Sequence, residues 1–261
     1  MLNLTKTQKI CIQYGFLLLL ICMTVYLVST TLDITLIPMI MKLVNKKFIF
    51  IGFLIMVLYI ILECTIINIL IKTIQKTKVR FLAVKIAMMG FYYNLVTPFA
   101  SGSQPMQIYA LNKYDINLSK SIAIVTNKTV LFQTVVTIYS AVIIFLNIEV
   151  LKNELPSMLV LMSIGMVMNI VSLLGGMLIV LTPNTMKIIV KVIVNILYRL
   201  NIFKSLNKKI HTINKFIDEY SYSIKLFIKN KKALFLSIIL TIIQLTVFFS
   251  ISYCVYKAFN L

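Results

Sequence analysis

Long apolar runs, each about the length that a helix needs to cross a bilayer, constrain this 261-residue chain more than any other feature. The core helix of a soluble protein does not need runs of this length. The composition agrees, since 60% of the residues are hydrophobic and only 13% are charged, against about 25% charged residues in a typical soluble domain. The sequence therefore predicts an all-α, polytopic integral membrane helical bundle that forms a single membrane domain over residues 1–261. The clear spans are residues 10–29, 48–71, 121–147, 158–181 and 233–256.

The first apolar run follows Lys6 and Lys9, which is the charge order of a secretory signal peptide. It is nevertheless about 20 residues long, beyond the apolar core of a signal peptide, and no small-residue cleavage site follows it. The pattern indicates a first transmembrane helix that is retained.

Positive charge is concentrated between the apolar spans. The chain carries 26 Lys and Arg against seven Asp and Glu, a formal net charge of +19. In a membrane protein such charge orients the loops and contacts anionic lipid headgroups, so we expect no direct nucleic-acid partner. The basic loops 72–85 and 183–232 are predicted to be cytoplasmic, with the N-terminus, and the acidic loop 148–156 external. Richness in Ile, Lys and Asn is typical of an AT-rich bacterial genome, so we expect a bacterial cell membrane.

One apolar segment is interrupted, within residues 91–107, "FYYNLVTPFASGSQPMQ". Pro98 and Pro105 remove backbone donors, and Gly102 relaxes the backbone. If loop 72–85 is inside and loop 148–156 is outside, residues 81–120 must begin and end inside. This predicts a re-entrant hairpin over residues 81–120 whose tip faces a polar pocket. The alternative is a full crossing at 81–98, but residues 100–120 then lack an apolar run long enough to return.

The basic segment 183–232 has helical periodicity. Polar residues recur every four positions within 185–200, and apolar residues recur every three or four positions within 210–227. Both patterns predict amphipathic helices on the cytoplasmic leaflet. For the second, a charged face that covers other helices is an equally good interpretation.

Two ionisable residues are predicted to lie at membrane depth, where such groups are costly and often functional. Glu63 and Lys128 both fall about 10–12 Å from the cytoplasmic side, so they could form a pair. Alternatively, Lys128 extends to the headgroups and Glu63 forms hydrogen bonds separately. Lys128 would offer a charge for an anionic group, and the hairpin tip would offer amide and hydroxyl groups. The tip residues with such groups are Asn94, Thr97, Ser101, Ser103, Gln104 and Gln107.

The sequence offers no catalytic constellation. His211 is the single histidine and has no Ser or Cys pattern to form a triad with it. An enzyme that acts on aminoacyl-tRNA also needs a water-facing domain, typically of about one hundred residues or more, and this chain has none. We therefore predict no catalytic residue, no metal site and no cofactor within these residues.

The stretch "TPFASGSQPMQIYAL" resembles the signature of the lysylphosphatidylglycerol synthase transmembrane-region family, in which P, F, a small residue, Ser, Gly, Gly, Gln or Glu, and Pro follow one another. Ser103 stands where the family has its second glycine. The order of spans around the motif is also similar to that of the family. The matching positions are Pro98, Ser101, Gly102, Gln104, Pro105, Gln107 and Tyr109.

This resemblance implies a function. The family includes the membrane, or flippase, domain of the multiple peptide resistance factor, also called phosphatidylglycerol lysyltransferase. There a soluble part transfers lysine from lysyl-tRNA to phosphatidylglycerol, and the membrane part is credited with moving the product lipid between leaflets. By analogy, we expect this chain to translocate lysyl-phosphatidylglycerol or a related lipid and to contribute to resistance against cationic peptides. The residues then expected to bind the lipid are Asn94, Thr97, Pro98, Ser101, Gly102, Ser103, Gln104, Pro105, Gln107, Tyr109, Lys128 and Glu63.

The resemblance leaves the enzymatic status open. The family usually continues past a helix like 233–256 into further spans, so a chain truncated at its C-terminus is expected. The alternative function is phosphatidylglycerol lysyltransferase activity with a catalytic domain absent from this chain, and a third is a scaffold that only binds anionic lipid. The expected partners are an anionic or aminoacylated phospholipid, a separate acyltransferase-like synthase domain, and a second copy in a homo-oligomer.

Overall fold

The computed structural model describes residues 44–77, 79–98, 101–182 and 207–259, together with positions 22, 23, 26, 30 and 188. These residues form helices and no strands, which confirms the predicted all-α membrane bundle. The helices are α1 (Lys46–Ile74), α2 (Leu82–Val96), α3 (Ser103–Lys113), α4 (Leu118–Leu146), α5 (Ile148–Glu154), α6 (Pro156–Leu181), α7 (Asn207–Lys229) and α8 (Lys231–Ala258).

Among the described residues, α1, α4, α6 and α8 are the helices long and apolar enough to cross a membrane. They correspond to the predicted spans 48–71, 121–147, 158–181 and 233–256, and each extends a few residues beyond at least one predicted end. Their outer faces expose large apolar side chains that suit a lipid environment. The protein is therefore a multi-pass membrane protein. The predicted span 10–29 and the predicted amphipathic helix 185–200 lie outside the described residues.

The membrane helices satisfy most of their Ser and Thr hydroxyls internally. The Thr65 hydroxyl donates to the Ile61 carbonyl at 2.8 Å, and Thr246 and Ser250 repeat this four-residue pattern in α8. Such bonds to the preceding turn remove the cost of placing a hydroxyl in hydrocarbon. Scattered hydroxyl residues are therefore compatible with membrane-spanning helices here.

The predicted hairpin corresponds to α2 and α3. These helices have 15 and 11 residues, about 22 and 16 Å, and neither can span a hydrocarbon core of about 30 Å alone. The Gln75 amide, before α2, lies within 3.5 Å of the Asp115 carbonyl, after α3. The hairpin therefore begins and ends at the same end of the bundle. Its re-entry into a membrane stays a prediction.

The turn between α2 and α3 needs glycine for space rather than for backbone freedom. Gly102 has φ −80° and ψ −17°, an ordinary right-handed conformation. A Cβ at this position would lie 2.5 Å from Thr97 Cγ2. The Gly102 N–H also donates to Thr97 Oγ1 at 2.9 Å, and Thr97 Oγ1 donates to the Tyr93 carbonyl at 2.5 Å. The expected relaxation of the backbone at Gly102 is thus replaced by close packing against Thr97.

Helix α7 buries its apolar face against neighbouring helices. Tyr220, Ile224 and Phe227 are each at most 2% exposed and belong to the same core cluster as residues of α1 to α4. The Ser119 hydroxyl of α4 donates to Glu219 Oε2 at 2.8 Å. This favours the interpretation of α7 as a helix that covers other helices, whereas its contact with the leaflet stays a prediction.

The chain divides into two compact units. The larger, Phe53–Ser252, contains every site discussed below. In the smaller, formed by Met1–Gly52 and Tyr253–Leu261, the Asn45 N–H donates to the Ala258 carbonyl at 2.9 Å.

Candidate functional site

A polar cavity of about 290 Å³ lies between α1, α2, α3 and α4. It is unusual for a membrane bundle because amides, hydroxyls and two charged groups line it together. Aromatic rings complete the wall. Its lining residues are Tyr59, Glu63, Gly90, Phe91, Asn94, Ser103, Gln104, Gln107, Lys128, Thr129 and Phe132.

A buried ion pair crosses this cavity. Lys128 Nζ of α4 donates to Glu63 Oε1 of α1, and the two side chains are 22% and 10% exposed. The second carboxylate oxygen, Glu63 Oε2, accepts a hydrogen bond at 2.9 Å from Gln244 Nε2 of α8. The depth argument from the sequence thus correctly allowed a Glu63–Lys128 pair, and the alternative of a separate Lys128 and Glu63 is wrong. Since the charges compensate each other, the pair is tolerable at this depth.

Two glutamines of α3 fix the hairpin to its neighbours. Gln107 is 3% exposed, and its Nε2 donates to the Ile86 carbonyl of α2 at 3.3 Å. This close approach depends on Gly90, where a Cβ would overlap Gln107 Nε2. Gln104 Nε2 donates to Thr129 Oγ1 of α4 at 3.3 Å. The motif glutamines therefore connect the hairpin both to itself and to a membrane-spanning helix.

Comparison with known proteins relates this architecture to one family. The family described as "Lysylphosphatidylglycerol synthase TM region" matches residues 12–261. The chain belongs to the lysylphosphatidylglycerol synthase transmembrane-region family. No curated protein and no solved structure matches the chain. The match confirms the resemblance inferred from the "TPFASGSQPMQIYAL" stretch, and it makes this a membrane protein related to lysylphosphatidylglycerol handling.

The structure brings half of the predicted site residues of this family member into the cavity. The predicted residues that line it are Glu63, Asn94, Ser103, Gln104, Gln107 and Lys128. The predicted residues that do not line it are Thr97, Pro98, Ser101, Gly102, Pro105 and Tyr109. Of these, Thr97 holds the turn, the Ser101 hydroxyl donates to the Pro98 carbonyl at 2.9 Å, and Tyr109 is 57% exposed. This second group therefore shapes the hairpin or its surface, outside the cavity lining.

Sequence reasoning missed several residues of the site. Gln244 is 1% exposed and bonds directly to Glu63. Its signal was a polar amide inside the last apolar span, where such groups default to a structural or functional role. Tyr59, Phe91 and Phe132 line the cavity as well, but rings in an apolar helix carry no comparable signal.

The cavity can bind a group that carries both hydrogen-bond donors and acceptors. An ammonium has three donors, so Lys128 can hold Glu63 and still donate to a phosphate oxygen. The amides of Asn94 and Gln104 can each donate and accept. Because Glu63 compensates Lys128, the two charged groups that line the cavity leave no net charge there. A charged ligand would therefore compete with the ion pair or add to it.

Proposed function

We propose that this protein translocates lysyl-phosphatidylglycerol or a related phospholipid between the leaflets of a bacterial cell membrane. The headgroup would pass through the polar cavity while the acyl tails stay in the bilayer. The observation that supports this most directly is the Glu63–Lys128 pair in a cavity lined by amides. Glu63 lies about 16 Å from the Ile74 end of α1, and Lys128 about 15 Å from the Leu118 end of α4. Both thus lie a little more than a third of the way along helices of 29 residues, well inside a span of membrane length.

The chemistry of the cavity suits such a headgroup. A lipid headgroup in hydrocarbon loses its hydrogen bonds to water, which costs several kcal/mol per unsatisfied group. Lys128 can donate to the phosphate, and Glu63 can accept from an ammonium. The amides of Asn94 and Gln104 can replace further hydrogen bonds to water. The cavity would therefore lower the barrier for the headgroup without contacting the tails.

Export of an aminoacylated lipid would change the outer surface of the cell. Lysyl-phosphatidylglycerol carries a positive group that phosphatidylglycerol lacks, so its presence in the outer leaflet weakens the attraction of cationic peptides. On this proposal the protein contributes to resistance against such peptides, with its N-terminus in the cytoplasm.

A second candidate function follows from the family description, which names a synthase. In this alternative, the chain is the membrane part of a phosphatidylglycerol lysyltransferase and works with a separate acyltransferase-like domain. Addition of such a domain to reconstituted vesicles, with lysyl-tRNA and phosphatidylglycerol, would then yield lysyl-phosphatidylglycerol faster than the domain alone.

The test of translocation is a headgroup-resolved flipping assay in vesicles that contain this chain alone. Wild type is compared with Gln104→Ala and with the double variant Glu63→Gln, Lys128→Met, which removes both charges together. We expect each variant to flip lysyl-phosphatidylglycerol at least about tenfold more slowly than wild type, because a charge-assisted hydrogen bond contributes roughly 1.5–3 kcal/mol.

The matched control is Gln133→Ala on the same helix as Lys128. Gln133 Nε2 donates to Asn169 Oδ1 at 2.9 Å, outside the cavity lining, so this variant loses an interhelical hydrogen bond but keeps the cavity. It should flip lipid like wild type. Flipping that is unchanged in folded Gln104→Ala and in the folded double variant would reject the cavity as the headgroup path.

A further inference from the structure

A second cavity, of about 240 Å³, lies on a different part of α4 and is almost entirely apolar. Its α4 residues follow one another at intervals of three, one, three, one and three, so they form one stripe along the helix. From Asn127 to Ile138 this stripe is about 16 Å long. An elongated apolar groove of this kind fits an extended hydrocarbon chain better than a compact ligand. The lining residues are Asn127, Val130, Leu131, Thr134, Val135, Ile138, Met177, Phe227, Ile228, Leu234 and Ile238.

One polar group in the groove has no partner. Asn127 is 5% exposed, and its Nδ2 atom lacks a hydrogen-bond partner. Thr134, the other polar lining residue, is satisfied because its hydroxyl donates to the Val130 carbonyl at 2.7 Å. A buried amide donor without an acceptor is costly, so the groove suits an apolar ligand that carries a carbonyl at the level of Asn127.

Three lysines lie in the corner between α7 and α8, two helices that line the groove. Ile228 of α7 and Leu234 of α8 both line it, and Lys229, Lys231 and Lys232 lie between them along the chain. All three lysines are exposed, and none forms a salt bridge with an acid in the described part of the chain.

The corner that carries these lysines is held in place by Asn230, whose Oδ1 accepts the Ala233 N–H at 3.1 Å. It is followed by the N-terminal end of α8, whose dipole also favours an anion.

We propose that this groove binds one anionic phospholipid in a fixed position. One acyl chain lies along the stripe of α4, an ester carbonyl accepts the hydrogen bond from Asn127 Nδ2, and the phosphate contacts Lys229, Lys231 and Lys232. This site is separate from the polar cavity and does not depend on translocation. It would hold a lipid that stabilises the corner between α7 and α8.

The absence of tryptophan from the chain allows a direct test. The variant Ile138→Trp places a single fluorophore in the groove, at a position that is 59% exposed. The control Met168→Trp places one on α6, 69% exposed and outside the groove. Its depth is similar, because the neighbouring Asn169 accepts a hydrogen bond from Thr137. Each variant is reconstituted in phosphatidylcholine vesicles that contain increasing fractions of lipid with brominated acyl chains.

We expect brominated phosphatidylglycerol to quench Ile138→Trp at about tenfold lower mole fraction than brominated phosphatidylcholine does, whereas Met168→Trp should respond equally to both. Simultaneous substitution of Lys229, Lys231 and Lys232 by Gln should abolish the preference.

The Asn127 contact has a test of its own. Asn127→Leu should weaken binding of ester-linked phosphatidylglycerol about fivefold and leave binding of an ether-linked analogue unaffected. Equal quenching of Ile138→Trp by the two lipids, or a preference that survives loss of the three lysines, would overturn the proposal. These measurements of lipid binding do not depend on flipping. A result that overturns the proposed lipid site would therefore leave the proposed translocation untouched.

Discussion

Glu63 and Lys128 depend on each other for stability, because each is largely removed from water beside the other. Lys128→Met would leave the Glu63 carboxylate buried with Gln244 as its remaining partner. Loss of one partner of a buried pair typically costs about 3–5 kcal/mol. Because Lys128 is 22% exposed, we expect the lower part of that range, about 3 kcal/mol, in unfolding measured in lipid–detergent micelles.

The double variant distinguishes two costs of losing Lys128: the loss of its attraction to Glu63, and the burial of a Glu63 carboxylate without a countercharge. The double variant Glu63→Gln, Lys128→Met leaves no buried ion, and replacement of a buried pair by neutral groups is often nearly neutral. We therefore expect it to recover most of the loss seen in Lys128→Met. A double variant less stable than Lys128→Met would contradict this account.

The Gln107 side chain needs the space left by the missing side chain of Gly90, and thermal unfolding of paired variants can test this. In Gly90→Ala the new methyl group would overlap Gln107 Nε2 and displace it from the Ile86 carbonyl. Overpacking of this kind costs about 1–3 kcal/mol, more than the gain of about 1 kcal/mol from Ala over Gly inside a helix. We expect Gly90→Ala to destabilise the wild-type chain but to stabilise the Gln107→Ala variant. The same sign in both backgrounds, by thermal unfolding, would disprove the dependence.

The sequence predicted contacts between residues only where depth in the membrane was enough to indicate them. Glu63 and Lys128 could be paired because helix length converts residue number into depth. Gln244 could not be paired with Glu63, since 181 residues separate them and no local pattern records which faces of α1 and α8 meet. The role of Gly102 was predicted wrongly for a related reason. From the sequence, a glycine indicates only a preference for a flexible backbone, whereas the need for space beside the Thr97 side chain depends on packing.

The close packing of Gly102 against Thr97, in the turn between α2 and α3, can be tested with paired substitutions. In Gly102→Ala the new Cβ would meet Thr97 Cγ2 at 2.5 Å and Oγ1 at 2.9 Å, which should destabilise the chain by about 1–2 kcal/mol. Thr97→Ser removes Cγ2 but keeps the hydroxyl that accepts the Gly102 N–H. We therefore expect Gly102→Ala to cost about 1 kcal/mol less in the Thr97→Ser background. Thr97→Val keeps the bulk and loses the hydroxyl, so equal relief by Val would contradict the steric explanation.

The helices were predicted well from the sequence, whereas the surfaces that they pack against were not. The apolar runs determined α1, α4, α6 and α8 because length and hydrophobicity alone define a crossing. The pattern in α7 identified an apolar face, which both a lipid surface and a protein core can bury. Burial of Tyr220 and Ile224 against α4 and its neighbours decided between them, and that depends on tertiary contacts.

The orientation of the whole molecule follows from whether the α2–α3 hairpin returns to the side it left. The loop before α2 touches the loop after α3 through Gln75 and Asp115, so we expect Lys76 and Lys113 to face the same compartment. In a chain whose native cysteines are replaced by serine, Lys76→Cys and Lys113→Cys should react with a membrane-impermeant maleimide only after the cells are permeabilised. Asn153→Cys, in α5, should react in intact cells because the basic loops stay inside.

All three positions are exposed, so their reactivity reports the side of the membrane rather than burial. A full crossing by α2 would place Lys76 and Lys113 on opposite sides, and exactly one of them would react in intact cells. That result would place the motif in an ordinary loop and remove the hairpin from the membrane. The polar cavity between α1 and α4 would then need another explanation than a path for headgroups.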